Sequence, residues 1–219
     1  MERKFISVAA LTNDDDGVSV AQSKGAAGAL TFGGALVSSG VATFAAAQKL
    51  TATSSGNDSG ITITFTGTNA DGVAISETIT CGNTTTAKST KYFKTVTTAP
   101  TVSGATAGTI KVGVVAADGF VSEALEVDIN QYGDDFKYLL GLAIGAGTFS
   151  VEGTTDLKSD TWTESVQEEG NWVAFTGLSG VTSDTQILAP IPSKTVRVKC
   201  TAWTSGATKL SVLVRGPRK

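Results

Sequence analysis

The stretch Gly60–Thr80, GITITFTGTNADGVAISETIT, decides the fold class. Ile61, Ile63 and Phe65 alternate with Thr62, Thr64 and Thr66, a period of two with one apolar and one hydroxylated face. Asn69, Asp71 and Gly72 follow, residue types that accept turn dihedrals. The return strand places Val73, Ile75, Glu77 and Ile79 at alternate positions, so the stretch reads as a β-hairpin. Glu77 falls on the apolar face of that register. Either a bulge shifts the register, or Glu77 lies at a sheet margin near solvent. It is read as a structural carboxylate rather than a catalytic acid.

The same texture extends in both directions. Short strands are expected at Phe5–Leu11, at Lys91–Thr98 and at Thr109–Val115, with NDDDG (13–17) as a turn or loop, and the Ala/Gly-rich 21–47 reads as short strands around Leu30–Phe32 and Val41–Phe44 or as an arm that orders only on a partner. Beyond Asp118-Gly119, Leu125, Val127 and Ile129 alternate with Glu126 and Asp128, and Phe136, Tyr138, Leu140, Leu142 and Ile144 form a longer run. The last hairpin reads most clearly. Val196, Val198, Cys200 and Ala202 face one way, as do Leu210, Val212 and Val214 after a turn at Ser205-Gly206. Arg197, Lys199, Trp203, Lys209 and Arg215 take the opposite face. Turn signals recur every 8 to 12 residues or so, the spacing of sandwiches. The expected fold is all-β, with two β-sandwich or jelly-roll-like modules at 30–118 and 119–219. A Gly/Ala-rich segment, 1–29, precedes them as an N-terminal arm.

Composition narrows the chemistry. The 219 residues are 41 % apolar and 17 % charged, with 25 glycines and no histidine. The absence of His removes the usual neutral-pH general base and the commonest metal ligand. Cys81 and Cys200 form no CxxC pair and read as buried thiols of a chain made in a reducing cytoplasm. The N-terminus MERKFISVAAL lacks the apolar run of a signal peptide, and no 18-residue apolar run suggests a membrane span. Charge is unevenly spread. Residues 121–184 hold two basic and twelve acidic residues, and residues 185–219 hold seven basic and no acidic one. Such asymmetry either neutralises within one domain or joins neighbouring subunits.

No motif for nucleotide or acyl chemistry is present: there is no P-loop, no GxSxG and no strand-linked GxGxxG. Asp14, Asp15 and Asp16 lack the spacing and the later Glu of an EF-hand, and read as a solvated turn. Asp134-Asp135 and Glu168-Glu169-Gly170 read likewise. A glycosidase needs two carboxylates across a groove, and nothing pairs any two here. Asn57-Asp58-Ser59 and Asn83-Thr84-Thr85 are sequons that matter only in a secretory pathway. No cofactor, metal or catalytic residue is expected. Trp162, Trp172 and Trp203 read either as a sugar-stacking platform or as packing. Trp203, by its register, points to a contact surface. Arg197, Lys199, Trp203, Lys209 and Arg215, with the tail Arg218-Lys219, read as a face for an acidic neighbour, or as a solvated face, rather than for specific nucleic acid.

Two stretches resemble accessory virion proteins of tailed bacteriophages. One is LTATSSGNDSGITITFTGTNADGVAISETITCGN with STKYFKTVTTAPTVSGATAGTIKVG; the other is LSGVTSDTQILAPIPSKTVRVKCTAWTSGATKLSVLVRG. The likeness covers roughly 30–115 and 145–216. It implies a non-enzymatic structural part of the particle, made in the host cytoplasm. The leading expectation is a capsid cement or decoration protein that bridges major capsid protein subunits as a homo-oligomer, a trimer for preference. A head–tail collar or tail component is the alternative, and a carbohydrate-binding adhesin using Trp203 is the reading from another class.

Overall fold

The structure, a computed structural model, describes residues 2–127, 137–155, 172–189 and 193–215, with the side chains of Glu2, Lys137, Tyr138 and Arg215 outside that set. The fold is all-β and every strand pair among the described residues is antiparallel. The chain divides into a central unit, Leu11–Asp118, and a terminal unit, Met1–Ala10 with Gly119–Lys219. Among the described residues no helix is long and apolar enough to cross a membrane.

Residues 1–29 are not an arm. Strand β1 (Glu2–Val8) belongs to the terminal unit, and β2 (Asp14–Gln22) to the central one. NDDDG is correspondingly not a turn: Asp14 opens β2 and pairs with Val114. The central unit continues through β3 (Gly28–Ala29), β4 (Val37–Ser38), β5 (Val41–Ser54), β6 (Thr62–Thr68), β7 (Ala74–Thr80), β8 (Thr86–Val96), β9 (Thr101–Val102) and β10 (Ile110–Val114). The expected strand at Leu30–Phe32 lies two residues early, as β3. Leu30 instead enters the core, its N–H donating to Pro100 O.

The pairing order in this unit is β2-β10-β5-β8-β6-β7, with β9 and β3 continuing from the β8 side of β6. Phe44, Leu50, Ile63, Phe65, Phe93 and Val112 fill one core, with the Phe65 and Phe93 rings edge to face at 6.2 Å. The Gly60–Thr80 hairpin forms in the register its alternation predicts: Ile63 opposes Ile79 and Phe65 opposes Glu77. Asn69 Oδ1 accepts from Asp71 N–H and Val73 N–H, and Gly72 takes φ 80°, a turn geometry that asks for glycine. Hydroxyls of the other face are laced together, Thr64 to Thr78 and Thr66 to Ser76.

Glu77 shows no bulge in its own strand; among the described residues β7 is a margin strand paired only with β6. The bulge lies across from it, in β8. Lys49 pairs with Tyr92 and Thr51 with Lys88, so Leu50 alone faces Ser89, Thr90 and Lys91. That irregularity frees backbone N–H groups, and Glu77 accepts them: Thr90 N–H at 2.8 Å and Lys91 N–H at 2.9 Å, with the Thr90 hydroxyl at 2.8 Å. Lys91 Nζ in return donates to Ser76 O, which covers the β7 edge. Glu77→Ala should therefore destabilise the protein by about 2 kcal/mol, since it orphans three donors at a half-exposed site. Glu77→Gln should retain about half of that. Urea midpoints at constant m-value test it, and a loss under about 0.5 kcal/mol for the alanine variant would remove the capping role.

The terminal unit resumes with β11 (Phe120–Val121), β12 (Leu125–Glu126), β13 (Lys137–Ala143), β14 (Ala146–Thr154), β15 (Val173–Ala174), β16 (Thr185–Leu188), β17 (Thr195–Ser205) and β18 (Thr208–Arg215). One sheet has the order β1-β18-β13-β16. In the other, β17 pairs β14 on one edge and β11 and β12 on the other, with β15 outside β14. The apparent last hairpin is therefore no hairpin, because β17 and β18 lie in different sheets. Both remain half apolar because each sheet buries one face, as in a sandwich. Leu210, Val212 and Val214 are buried from one sheet, and Val196, Val198 and Cys200 from the other. The chain also changes sheet between β13 and β14. The two crossings touch: a Cβ at Gly145 would lie 2.1 Å from Ser205 O and 2.8 Å from Gly206 Cα. A register shift near Thr201 breaks the alternation, so Ala202 is exposed rather than apolar-facing.

Candidate functional site

The five residues read from the sequence as one contact face are separated by the sheet change. Arg197 and Lys199 lie on β17, Lys209 on β18, and the side chain of Arg215 lies outside the described set. Arg197 is no surface residue, at 7 % exposure. Its Nε and Nη2 each stand 2.8 Å from Glu152 Oε2, and its guanidinium covers the Trp172 ring at 4.2 Å. Lys199 Nζ approaches the other Glu152 oxygen at 3.6 Å. Pairing of β14 with β17 dictates this, since Glu152 is the register partner of Arg197. The group is a buried charge cluster within the fold.

Trp203 is half-buried and lies six residues along β17 from Arg197, about 20 Å at strand rise. Trp172 and Trp203 therefore form no common platform. Trp162, Asp134-Asp135, Glu168-Glu169 and Arg218-Lys219 lie outside the described residues, as do Ile129 and Phe136.

The aspartates of β2 crowd together, their ligand oxygens within 4.8 Å of one another. A hydrogen bond with Asp14 is the main cause that raises the Asp16 pKa, and the charges of Asp14 and Asp15 add to it. Lys111 Nζ meets Asp15 at 2.6 Å, which raises the lysine pKa and offsets part of the repulsion. An acidic strip with its own counter-ion results, on a strand rather than a turn.

Both cysteines are buried, Cys81 in the central unit and Cys200 in the terminal one. Burial pushes each thiol up to about 11, with the charge of Asp58 adding to the effect at Cys81. The raised value means that folding favours the neutral thiol. Its stabilisation is complete below pH 9 and is lost as pH rises through 11. Urea midpoints should fall over that window, on the order of 1–2 kcal/mol per thiol. The fall should shrink in a Cys81→Ala, Cys200→Ala variant; an identical alkaline slope in that variant would assign the loss elsewhere.

Lys209, exposed on β18, points to a different site. On the outer face of the β1-β18-β13-β16 sheet, Arg3, Phe5, Gly141, Gln186, Lys209 and Ser211 line a cleft of about 450 Å³. The pairing explains the convergence, because Phe5 opposes Ser211, Ser211 opposes Gly141 and Gly141 opposes Gln186 across the four strands. Gly141 forms a low floor: a Cβ there would meet Ser211 Oγ at 2.8 Å. Phe5 is 46 % exposed, and Leu188, on β16, is 57 % exposed. Lys209 Nζ lies 4.2 Å from the Phe5 ring centroid and Arg3 Cζ 5.9 Å from it. Neither cation is within ion-pair distance of a carboxylate among the described residues. Asp184, at the rim, accepts the Ile144 N–H. Sequence reading missed Arg3, Phe5, Gly141 and Gln186; the alternation of charge and Phe in ERKF was the available signal.

No protein-family model matches the chain, and no curated protein matches it.

Proposed function

We propose that the protein is a non-enzymatic structural component of a tailed-phage particle, and that it works as a capsid cement or decoration protein bridging major capsid subunits. The observation that carries the reading is the outer face of the four-stranded sheet, where an exposed aromatic and two cations without carboxylate partners among the described residues sit on a regular β scaffold. Such a face suits docking, since aromatic and Arg side chains dominate contact energetics. The likeness of 30–115 and 145–216 to accessory virion proteins supports the particle as the setting. Hydroxyl ladders such as Thr64–Thr78 suit surfaces that pack through hydrogen bonds. A homo-oligomer, with a trimer preferred, is the assembly the reading favours.

Copy number on purified particles tests the proposal. A stoichiometry comparable to the major capsid protein, with label spread over the shell, is the expected result. A single ring of copies at the vertex that bears the tail would move the protein to the collar or tail. Absence from particles would end the structural reading.

A further inference from the structure

We propose that the cleft over Gly141 is a carboxylate-binding site, and that its occupant is an acidic, extended segment of a partner protein. The inference deepens the docking reading above and takes from it only that a protein partner exists.

The charge map directs the choice. Among the described side chains, those of β1, β13, β16 and β18 include three basic residues, Arg3, Lys4 and Lys209, and no acidic one, and the cleft rim adds Asp184, which accepts the Ile144 N–H. The sheet is therefore locally positive at the cleft, and complementarity calls for negative charge. Within it, Lys4 is spent on Glu126 O. Among the described residues Arg3 and Lys209 reach no carboxylate and lie against the Phe5 ring, whereas Lys88 and Lys111 each reach an aspartate at 2.6 Å. The Gln186 amide adds donors that meet no partner among the described residues.

These donors lie beside a floor without a side chain, so a planar carboxylate can reach them while apolar atoms beside it cover Phe5 and Leu188. A long polyanion such as nucleic acid fits less well. Among the described residues, two cations around one cleft are too few for the row of phosphate contacts that holds such a chain.

The test uses the intact protein and a fluorescein-labelled deca-glutamate peptide, read by fluorescence anisotropy at low salt. Saturable binding is expected, and Arg3→Gln with Lys209→Gln should weaken it by about tenfold or more. Lys24→Gln with Lys49→Gln, equal in charge change but in the central unit, should leave it within about twofold. Slow Cys200 labelling verifies that each variant is folded. The proposal is overturned by no binding to the wild type, by equal losses in the two double variants, or by tighter binding of an oligothymidylate of equal length. None of these outcomes bears on particle copy number, so failure here leaves the structural role standing.

Discussion

Arg197→Met is expected to destabilise the terminal unit by about 3–5 kcal/mol, whereas Lys199→Met should cost less than about 1 kcal/mol. The two residues sit two apart on one strand and both approach Glu152, yet burial separates them. Arg197 and Glu152 are 7 % and 9 % exposed, and Arg197 Nε and Nη2 both lie 2.8 Å from one carboxylate oxygen. Without Arg197 the carboxylate stays in the interior with only Lys199, at 3.6 Å, to balance it. The Trp172 ring also loses its cover, as the guanidinium lies 4.2 Å above it. A second variant isolates the charge effect. Arg197→Met combined with Glu152→Gln should recover a large part of the loss, because no uncompensated buried charge remains. Equal urea midpoints for Arg197→Met and Lys199→Met would refute the buried-pair account. Labelling of Cys200 gives an independent readout, since the thiol lies three residues along the same strand and reacts when that strand opens.

Arg197 also marks where sequence reading stops. Alternation places a residue on a face, and it placed Arg197 opposite Val196 and Val198 correctly. What covers that face is a non-local matter, decided here by Glu152 on β14 and Trp172 beside β15. The hairpin of β6 and β7 was legible because its partners are adjacent and its turn chemistry is local. The step from β17 to β18 offers the same local signals, two alternating runs and a glycine turn, but the strands separate into two sheets. An apolar face toward a partner strand's sheet and one toward a facing sheet read identically. Glu77 behaves the same way: its position was visible as an anomaly, while the β8 irregularity that it caps was not. The cleft was hidden for the most physical reason. Arg3 and Phe5 meet Lys209 and Ser211 only because β1 pairs with β18, at the opposite end of the chain.

Asp58→Ala should be the second severe lesion, about 3–4 kcal/mol, and it should act on the central unit. Read as the middle of a sequon, Asp58 drew no notice; in the fold it is 1 % exposed. Its Oδ1 accepts the Ala107 N–H at 2.6 Å and its Oδ2 accepts the Ser54 hydroxyl. Its own N–H donates to Gly56 O and Gly82 O. Three segments thus meet at one residue: its carboxylate ties Ser54 to Ala107, and its backbone N–H ties in Gly82. Their backbones are close enough that a Cβ at Gly108 would lie 2.3 Å from Gly56 N, so no side chain could replace the tie. Alanine leaves the partly buried Ala107 N–H and the buried Ser54 hydroxyl without this acceptor, plus a small void. The hydroxyl has a fallback, since Ser54 Oγ also reaches Gly56 O at 3.0 Å. Asp58→Asn keeps an acceptor for Ala107 and should cost only about 1–2 kcal/mol. Cys81, adjacent to Gly82, is the reporter. Its labelling rate should rise by about a hundredfold in Asp58→Ala, and by much less in Asp58→Asn. Were both variants to label at the wild-type rate, the three segments would have to be held by backbone contacts alone.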